Sequence, residues 1–338
     1  MKKLPLLVLF ITISISLSGQ SNTASIKEIN EKSLKEWINY LASDQMKGRL
    51  NGSPEMDEAA NWLSQRFKEY GIVPFKEYPD YFQKYETTGR SGTVNEKNVI
   101  GFIPGTDPSL KNEYLILTAH FDHIGIRSAI EGDSIYNGAD DNAAGTSTLI
   151  AIAKYFYDNG IKPGRTIIIA AVSGEEIGLR GSRYLVKNMP VPVESLYANL
   201  NFEMIGHSEY LGTGKYYMTG TDFSNLDNTI NRYIGENDRI ALIDTIAMAS
   251  RLFYMSDNAA FARLSTADDI SVGVPCGTFA TTTFGDHIHH PGDEASLFDF
   301  ENMALLVNHF AEVVKYLSDC RDDINWTDKR FVRPEKVR

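Results

Sequence analysis

The 338-residue chain carries 33 Lys and Arg against 44 Asp and Glu, a formal charge of −11, and 43% of its residues are hydrophobic. That balance excludes collagen-like, mucin-like and wholly disordered chains. It also leaves no broad basic surface for phosphates, so no nucleic-acid partner is expected.

Lys2 and Lys3 precede an apolar run from Leu4 to Leu17, and Ser16, Ser18 and Gly19 supply the small residues of a cleavage region. Residues 1–19 therefore read as a secretory signal peptide. The alternative is an uncleaved anchor, for which the run is short against a span of ~20 residues. No cysteine follows it for lipid attachment, and no other segment is apolar enough to cross a bilayer. The mature protein is expected to be periplasmic or secreted, with no stable membrane insertion once the signal is removed. In such a compartment Cys276 and Cys320 are the one pair available for a disulfide, two free thiols being the alternative.

Residues 20–326 read as one domain. Its lead-in, 20–97, is expected to be helical, with helices over 33–41 and 54–70. In the second, Ala59, Leu63, Phe67 and Tyr70 recur on one face, Ser53 caps the start and Gly71 the end. Between them lies the turn Gly48-Arg49-Leu50-Asn51-Gly52. The core, 98–318, alternates β-rich runs (98–103, 114–118, 166–172, 196–205) with helical ones (143–157, 176–186, 298–317). That alternation predicts a three-layer α/β/α domain with a mixed, largely parallel sheet covered on both faces. The stretch 206–285 is the least regular and is a candidate pocket wall. Residues 327–338 form a short basic tail.

Ligands bind at strand ends in open α/β sheets. The residues following the apolar runs repeat one chemistry: His120-Phe121-Asp122, then Gly174-Glu175-Glu176, then Asn201-Phe202-Glu203. Gly138-Ala139-Asp140-Asp141-Asn142 opens a helix, and Asp286-His287-Ile288-His289-His290 lies far downstream. Singly, each has a bland reading as a capping turn, an acidic helix start or a surface pair. Together they crowd like charges into one crevice, which a cation must relieve, and imidazoles and carboxylates are ligands of zinc.

The series Thr118-Ala119-His120-Phe121-Asp122-His123, Gly138-Ala139-Asp140-Asp141-Asn142-Ala143-Ala144-Gly145, Ser173-Gly174-Glu175-Glu176, Asn201-Phe202-Glu203 and His289-His290-Pro291-Gly292-Asp293 resembles the co-catalytic zinc aminopeptidases. That family also contains glutamate carboxypeptidases, glutaminyl cyclases and non-catalytic receptor ectodomains. The resemblance implies two zinc ions, with Asp140 bridging them, Glu176 and His289 completing one, and His120 and Glu203 the other. It implies Glu175 as the general base and a cis peptide between Asp140 and Asp141. Asp122, two residues from His120, is expected to accept the ring's other N–H. The family usually has Asp where Glu203 stands, so an added methylene must be absorbed. Tyr254 is a candidate for stabilising an oxyanion. Asp141, His123, His287, Asp293 and Asp257 are candidates for the surrounding shell or pocket, with Asp293 expected to orient His289 or His290. The implied activity is an exopeptidase acting on peptides with a free amino terminus, since Glu175 and Glu203 suit an ammonium group. A carboxypeptidase or dipeptidase would need a cationic clamp such as Arg180, Arg251 or Arg263. No Gly-x-Ser-x-Gly elbow supports a serine hydrolase.

Overall fold

The computed structural model describes residues 25–89, 92–235, 239–244, 249–263, 273–283, 285, 287–328 and 330–331. The signal peptide expected at 1–19 and most of the basic tail lie outside the described residues. In chain order the elements are α1 (Glu31–Leu41), α2 (Pro54–Glu69), β1 (Phe82–Gly89), β2 (Gly92–Ile103), β3 (Tyr114–His120), β4 (Gly125–Ile130), β5 (Asp133–Tyr136), α3 (Gly145–Asp158), β6 (Thr166–Val172), α4 (Arg180–Lys187) and β7 (Leu196–Phe202). They continue with β8 (Lys215–Met218), α5 (Leu226–Ile234), β9 (Ala241–Ile243), α6 (Ala249–Leu252), α7 (Asn258–Ala262), β10 (Cys276–Ala280) and α8 (Phe300–Asp319).

Eight strands form one sheet in the order β1-β2-β6-β3-β7-β10-β8-β9, while β4 and β5 make a separate hairpin. The central four, β6, β3, β7 and β10, run parallel, and antiparallel pairs flank them at β2 and β8. Strand side chains alternate between faces, and the apolar runs split accordingly. Leu115, Leu117, Ile167, Ile169 and Ala171 join the core under α1, α2, α3 and α8; Ile116, Ile168, Ala170 and Val172 join the one under α4 and α7. A run apolar at every position is what a strand covered on both faces requires.

Ser53 caps α2 as expected, its hydroxyl accepting from Met56 N at 3.1 Å. The lead-in is less purely helical than expected: β1 belongs to it and pairs along its whole length with β2. Helix α4 begins at Arg180, four residues later than the sequence suggests, and leaves Glu175 and Glu176 on the connecting turn. No disulfide forms: Cys276 is buried on β10, donating to Asn258 O, whereas Cys320 caps the end of α8, and both thiols are free. Among the described residues no helix is long and apolar enough to cross a membrane.

His309, inside α8, is 8% exposed, with Nε2 3.1 Å from the Tyr216 hydroxyl. Burial, opposed weakly by Glu312, pulls its imidazole from the ordinary 6.5 down to about 4. Above pH 6.5 the ring is neutral in both states. Between 6.5 and 4 the unfolded chain takes up a proton that the folded chain refuses, so stability is lost as pH falls. Urea unfolding at pH 7.5 and pH 5 should therefore show wild type losing about 2 kcal/mol more than His309→Gln. Equal losses would mean that the buried ring does not titrate this way.

Candidate metal centre

Four parallel strands place their carboxyl ends along one edge, and the connections from β3 diverge, first to β6 on one side and later to β7 on the other. That divergence opens the crevice in which open α/β sheets bind ligands. His120 is the last residue of β3, Glu175 and Glu176 stand just past β6, and Glu203 follows β7 directly. Asp140 and Asp141 lie in the irregular turn 139–144 before α3, and His289 on the loop between β10 and α8. Residues distant in sequence meet because His120, Glu175, Glu176 and Glu203 stand at the ends of neighbouring strands and two loops bring Asp141 and His289 to the same edge.

The carboxylate that stands between two donor groups is Asp141, and not Asp140, which the resemblance put in the bridging place. Asp141 Oδ1 is 3.2 Å from His120 Nε2, and Oδ2 is 3.1 Å from His289 Nε2. Its two oxygens thus join two donor groups, His120–Asp141–Glu203 and His123–Asp141–Glu176–His289. Glu203 Oε1 lies 3.9 Å from His120 Nε2, and Glu176 Oε1 lies 3.0 Å from both His289 Nε2 and His123 Nδ1. The turn explains the one-residue shift. Asp293 takes the backbone N–H of Asp140 on Oδ1 (2.7 Å) and that of Asp141 on Oδ2 (3.0 Å), while Asp141 leaves helical geometry at φ −110° and ψ 88°. Consecutive side chains then diverge, Asp141 toward the strand ends and Asp140 toward His287 and His207. The cis peptide likewise falls at Asp141-Asn142 rather than Asp140-Asp141. Gly138 is required before this turn: at φ +62° a Cβ would stand 2.4 Å from Asp141 O and 2.5 Å from His123 Cγ.

The residues present fit zinc by their chemistry and by what they leave unpaired. His120 Nδ1 donates to Asp122 O at 3.2 Å, which turns Nε2 toward Asp141 and Glu203, where it is buried without a hydrogen-bond partner. Both ring nitrogens of fully buried His123 likewise lack an aligned hydrogen bond, although Nδ1 faces Glu176 Oε1 at 3.0 Å. Despite burial, which opposes it, the imidazoles of His120 and His289 close beside it hold the Asp141 carboxyl well below its usual range. Asp141 and Glu176 raise His289 to about 10. The carboxylates thus demand positive charge between them, whether proton or metal ion. Glu175 goes the other way: burial, joined by Glu203, Asp257 and Glu176 and opposed by His120, pushes it well above the carboxylate range.

Several expected roles change hands. The Asp122 carboxylate is 3.8 Å from His120 Nδ1 and instead accepts the backbone N–H groups of Glu175 and Glu176, at 3.2 Å each. It fixes the turn after β6 while its own carbonyl fixes the imidazole. Asp293 orients neither His289 nor His290, since both its oxygens hold the Asp140-Asp141 turn. Tyr254 lies in a separate groove, under the Arg263 guanidinium and against Phe223 and Phe253, because the residues that turn toward the centre are Met255 and Ser256. Asp257 is fully buried beside the centre with both oxygens unpaired, and burial pushes its carboxyl up to about 7.

Arg49 has a role that its place in a Gly-Arg turn does not signal. Fully buried, it donates to the carbonyls of Leu41, Phe121, Asn137 and Gly138. One guanidinium therefore ties the end of β3, through Phe121, to the turn that carries Asp141. Burial lowers it to about 10, against the pull of Asp293, Asp122, Asp141 and Glu176.

Beside this centre lies a cavity of about 130 Å³ with Asp141, Glu175, Glu203 and His289 at one end. Met204, Tyr217, Leu252, Met255 and Ile288 contribute apolar walls, with Thr219, Ser256 and Thr278 between them. Ser256 donates to Glu203, and no Arg or Lys is among these lining residues.

The sequence profile of peptidase family M28 matches residues 98–314, more than half of the chain. A probable zinc metalloprotease of Pyrenophora teres f. teres (strain 0-1) is 26% identical over 192 residues, covering 55% of this chain and 39% of that protein. Leupeptin-inactivating enzyme 1 of Streptomyces exfoliatus is 29% identical over 180 residues, covering 52% and 36%. The match thus spans about two fifths of the length of those relatives. LapB from Legionella pneumophila shares the fold with a TM-score of 0.64 at 19% identity, covering 86% of this chain and 72% of its own. Porphyromonas gingivalis glutaminyl cyclase does so at 0.65 and 17%, covering 86% and 100%.

Proposed function

The chain belongs to peptidase family M28, and on that premise we propose that it is an exported, zinc-dependent aminopeptidase that removes apolar residues from the free amino termini of peptides. The observation that carries this reading is the cavity: acidic at one end, apolar along its walls and, among the described residues, lined by no Arg or Lys. An α-ammonium group is stabilised beside Glu203 and Glu175, whereas a substrate carboxylate would meet repulsion there. Arg180, Arg251 and Arg263, the candidates for a carboxylate clamp, are not among the lining residues. Met204, Tyr217, Leu252 and Ile288 offer an aliphatic side chain a surface that a charged one would desolvate without compensation.

Two zinc ions fit the donors, one with His120, Asp141 and Glu203, the other with His123, Asp141, Glu176 and His289. Bound zinc supplies Lewis acidity toward a carbonyl oxygen and acidifies water. Glu175 supplies the proton transfer. Its raised proton affinity suits a base that takes a proton from the attacking water and then returns it to the departing amine. Asp122 holds the backbone of Glu175 and Glu176, and so keeps the base next to a ligand without letting it become one. Met255 and Ile288 add apolar surface to the cavity wall.

Leucine amide and N-acetylleucine amide, assayed before and after chelation, test this reading. Only the free-amine substrate should be cleaved, chelation should abolish turnover, and zinc should restore it. Preference for the blocked substrate would move the protein toward endopeptidases or carboxypeptidases. Cyclisation of amino-terminal glutamine would make it a glutaminyl cyclase, and failure to take up zinc would leave a binding ectodomain.

A further inference from the structure

We infer that Asp140, His207 and His287 form a third cation site, distinct from the pair joined by Asp141, which takes zinc or a similar divalent transition metal. One ligand atom from each lies within 4.8 Å of the others. Asp140 Oδ2 is 3.3 Å from His287 Nε2 and 3.7 Å from His207 Nε2. Zinc bonds of ~2.0–2.2 Å in a tetrahedral arrangement place ligand atoms ~3.3 Å apart, so the three need little adjustment.

Two observations beyond proximity point to a ligand. His207 Nε2, on a residue 2% exposed, is buried without a hydrogen-bond partner and stands 3.7 Å from Oδ2 of Asp140, itself 0% exposed. A buried imidazole nitrogen without a protein partner is costly, and a cation is what an imidazole lone pair and a carboxylate oxygen can share. In addition, His207 Nδ1 lies 2.8 Å from Glu209 Oε1. A carboxylate on one ring nitrogen fixes the proton there and leaves the other nitrogen as a ligand, the arrangement that orients metal-binding histidines. Phe298, edge-on at 5.4 Å between ring centroids, holds the imidazole in place.

The site lies outside the cavity, since none of the three residues lines it. They come from three segments: the turn before α3, the loop after β7, and the loop after β10 that also carries His289. A cation there would fasten the turn holding Asp141 to the loop holding His289, two residues beyond His287. Its role is positioning, and two imidazoles with one carboxylate leave a fourth position for water.

Metal content tests this on the full chain, stripped by chelator, reloaded with zinc chloride and freed of excess metal. Wild type should retain about three equivalents, His207→Ala about two, and Asp141→Asn about one, because Asp141 joins the other pair. Crystals of the zinc-loaded wild type should give an anomalous peak between Asp140, His207 and His287, a readout that needs no variant to fold. Equal zinc in wild type and His207→Ala, with no such peak, would overturn the third site. The two readings fail separately: zinc lost only in Asp141→Asn leaves the pair standing, and zinc lost only in His207→Ala leaves the third site standing.

Discussion

Glu175→Gln is expected to lower kcat by about 10²–10⁴-fold while zinc content and thermal stability stay at wild-type values. The substitution keeps the side chain's shape and removes its capacity to carry a proton. The Glu175 carboxyl lies beside Asp141, Glu203 and Glu176, yet it is absent from both donor groups that Asp141 joins. Its environment also separates it from its neighbours: Glu176 is pulled down by His123 and His289 against burial and Asp141, whereas Glu175 is pushed up. Divergent proton affinities on adjacent carboxylates assign one to charge and the other to proton transfer. Parallel measurement of kcat and zinc stoichiometry checks this, and a variant with unchanged kcat would remove Glu175 from the reaction. A variant that lost zinc as well would instead make Glu175 a ligand.

Arg49→Met should cost about 3–5 kcal/mol of stability, measured by urea unfolding of the metal-free chain. Methionine roughly fills the volume of the arginine stem but leaves the carbonyls of Leu41, Phe121, Asn137 and Gly138 without their donor. It also removes the one guanidinium held among Asp293, Asp122, Asp141 and Glu176. Arg49→Lys, which keeps the charge but lacks the planar fork, should recover only part of the loss. Because the same guanidinium ties the end of β3 to the Asp141 turn, zinc affinity should fall in both variants, more in Arg49→Met. Stability within about 0.5 kcal/mol of wild type would mean that water replaces the guanidinium at those carbonyls.

The central strands are legible because burial on both faces demands uninterrupted apolar runs, and 166–172 coincides with β6. Strands β8, β9 and β10 escape such a reading. They are three to five residues long, and β10 mixes Cys, Gly and Thr into a fully buried strand, so neither length nor alternation marks them. At the site, His120, Glu175, Glu176, Glu203 and His289 are brought together where the motifs suggest. The choice between Asp140 and Asp141 is another matter. It depends on which carboxylate an irregular turn aims at the strand ends, and that aim is set by Asp293, about 150 residues away in the chain. Arg49 is hidden for a similar reason: its acceptors are backbone carbonyls, which carry no sequence signature.

The cavity's acidic end and its apolar walls are encoded in different stretches. Asp141, Glu175 and Glu203 stand by the ends of β3, β6 and β7, whereas Met204, Tyr217, Leu252, Met255 and Ile288 all come later in the chain. The later stretch is built of short strands and helices between turns, which accept insertion and replacement more readily than the central strands. Substrate preference can therefore drift, or be redesigned, by replacing wall residues after β7, with His207, His287, His289 and Asp293 kept, while the proton-transfer machinery is inherited unchanged. A laboratory seeking a new terminal-residue preference would randomise Tyr217, Leu252, Met255 and Ile288 and leave the strand ends alone.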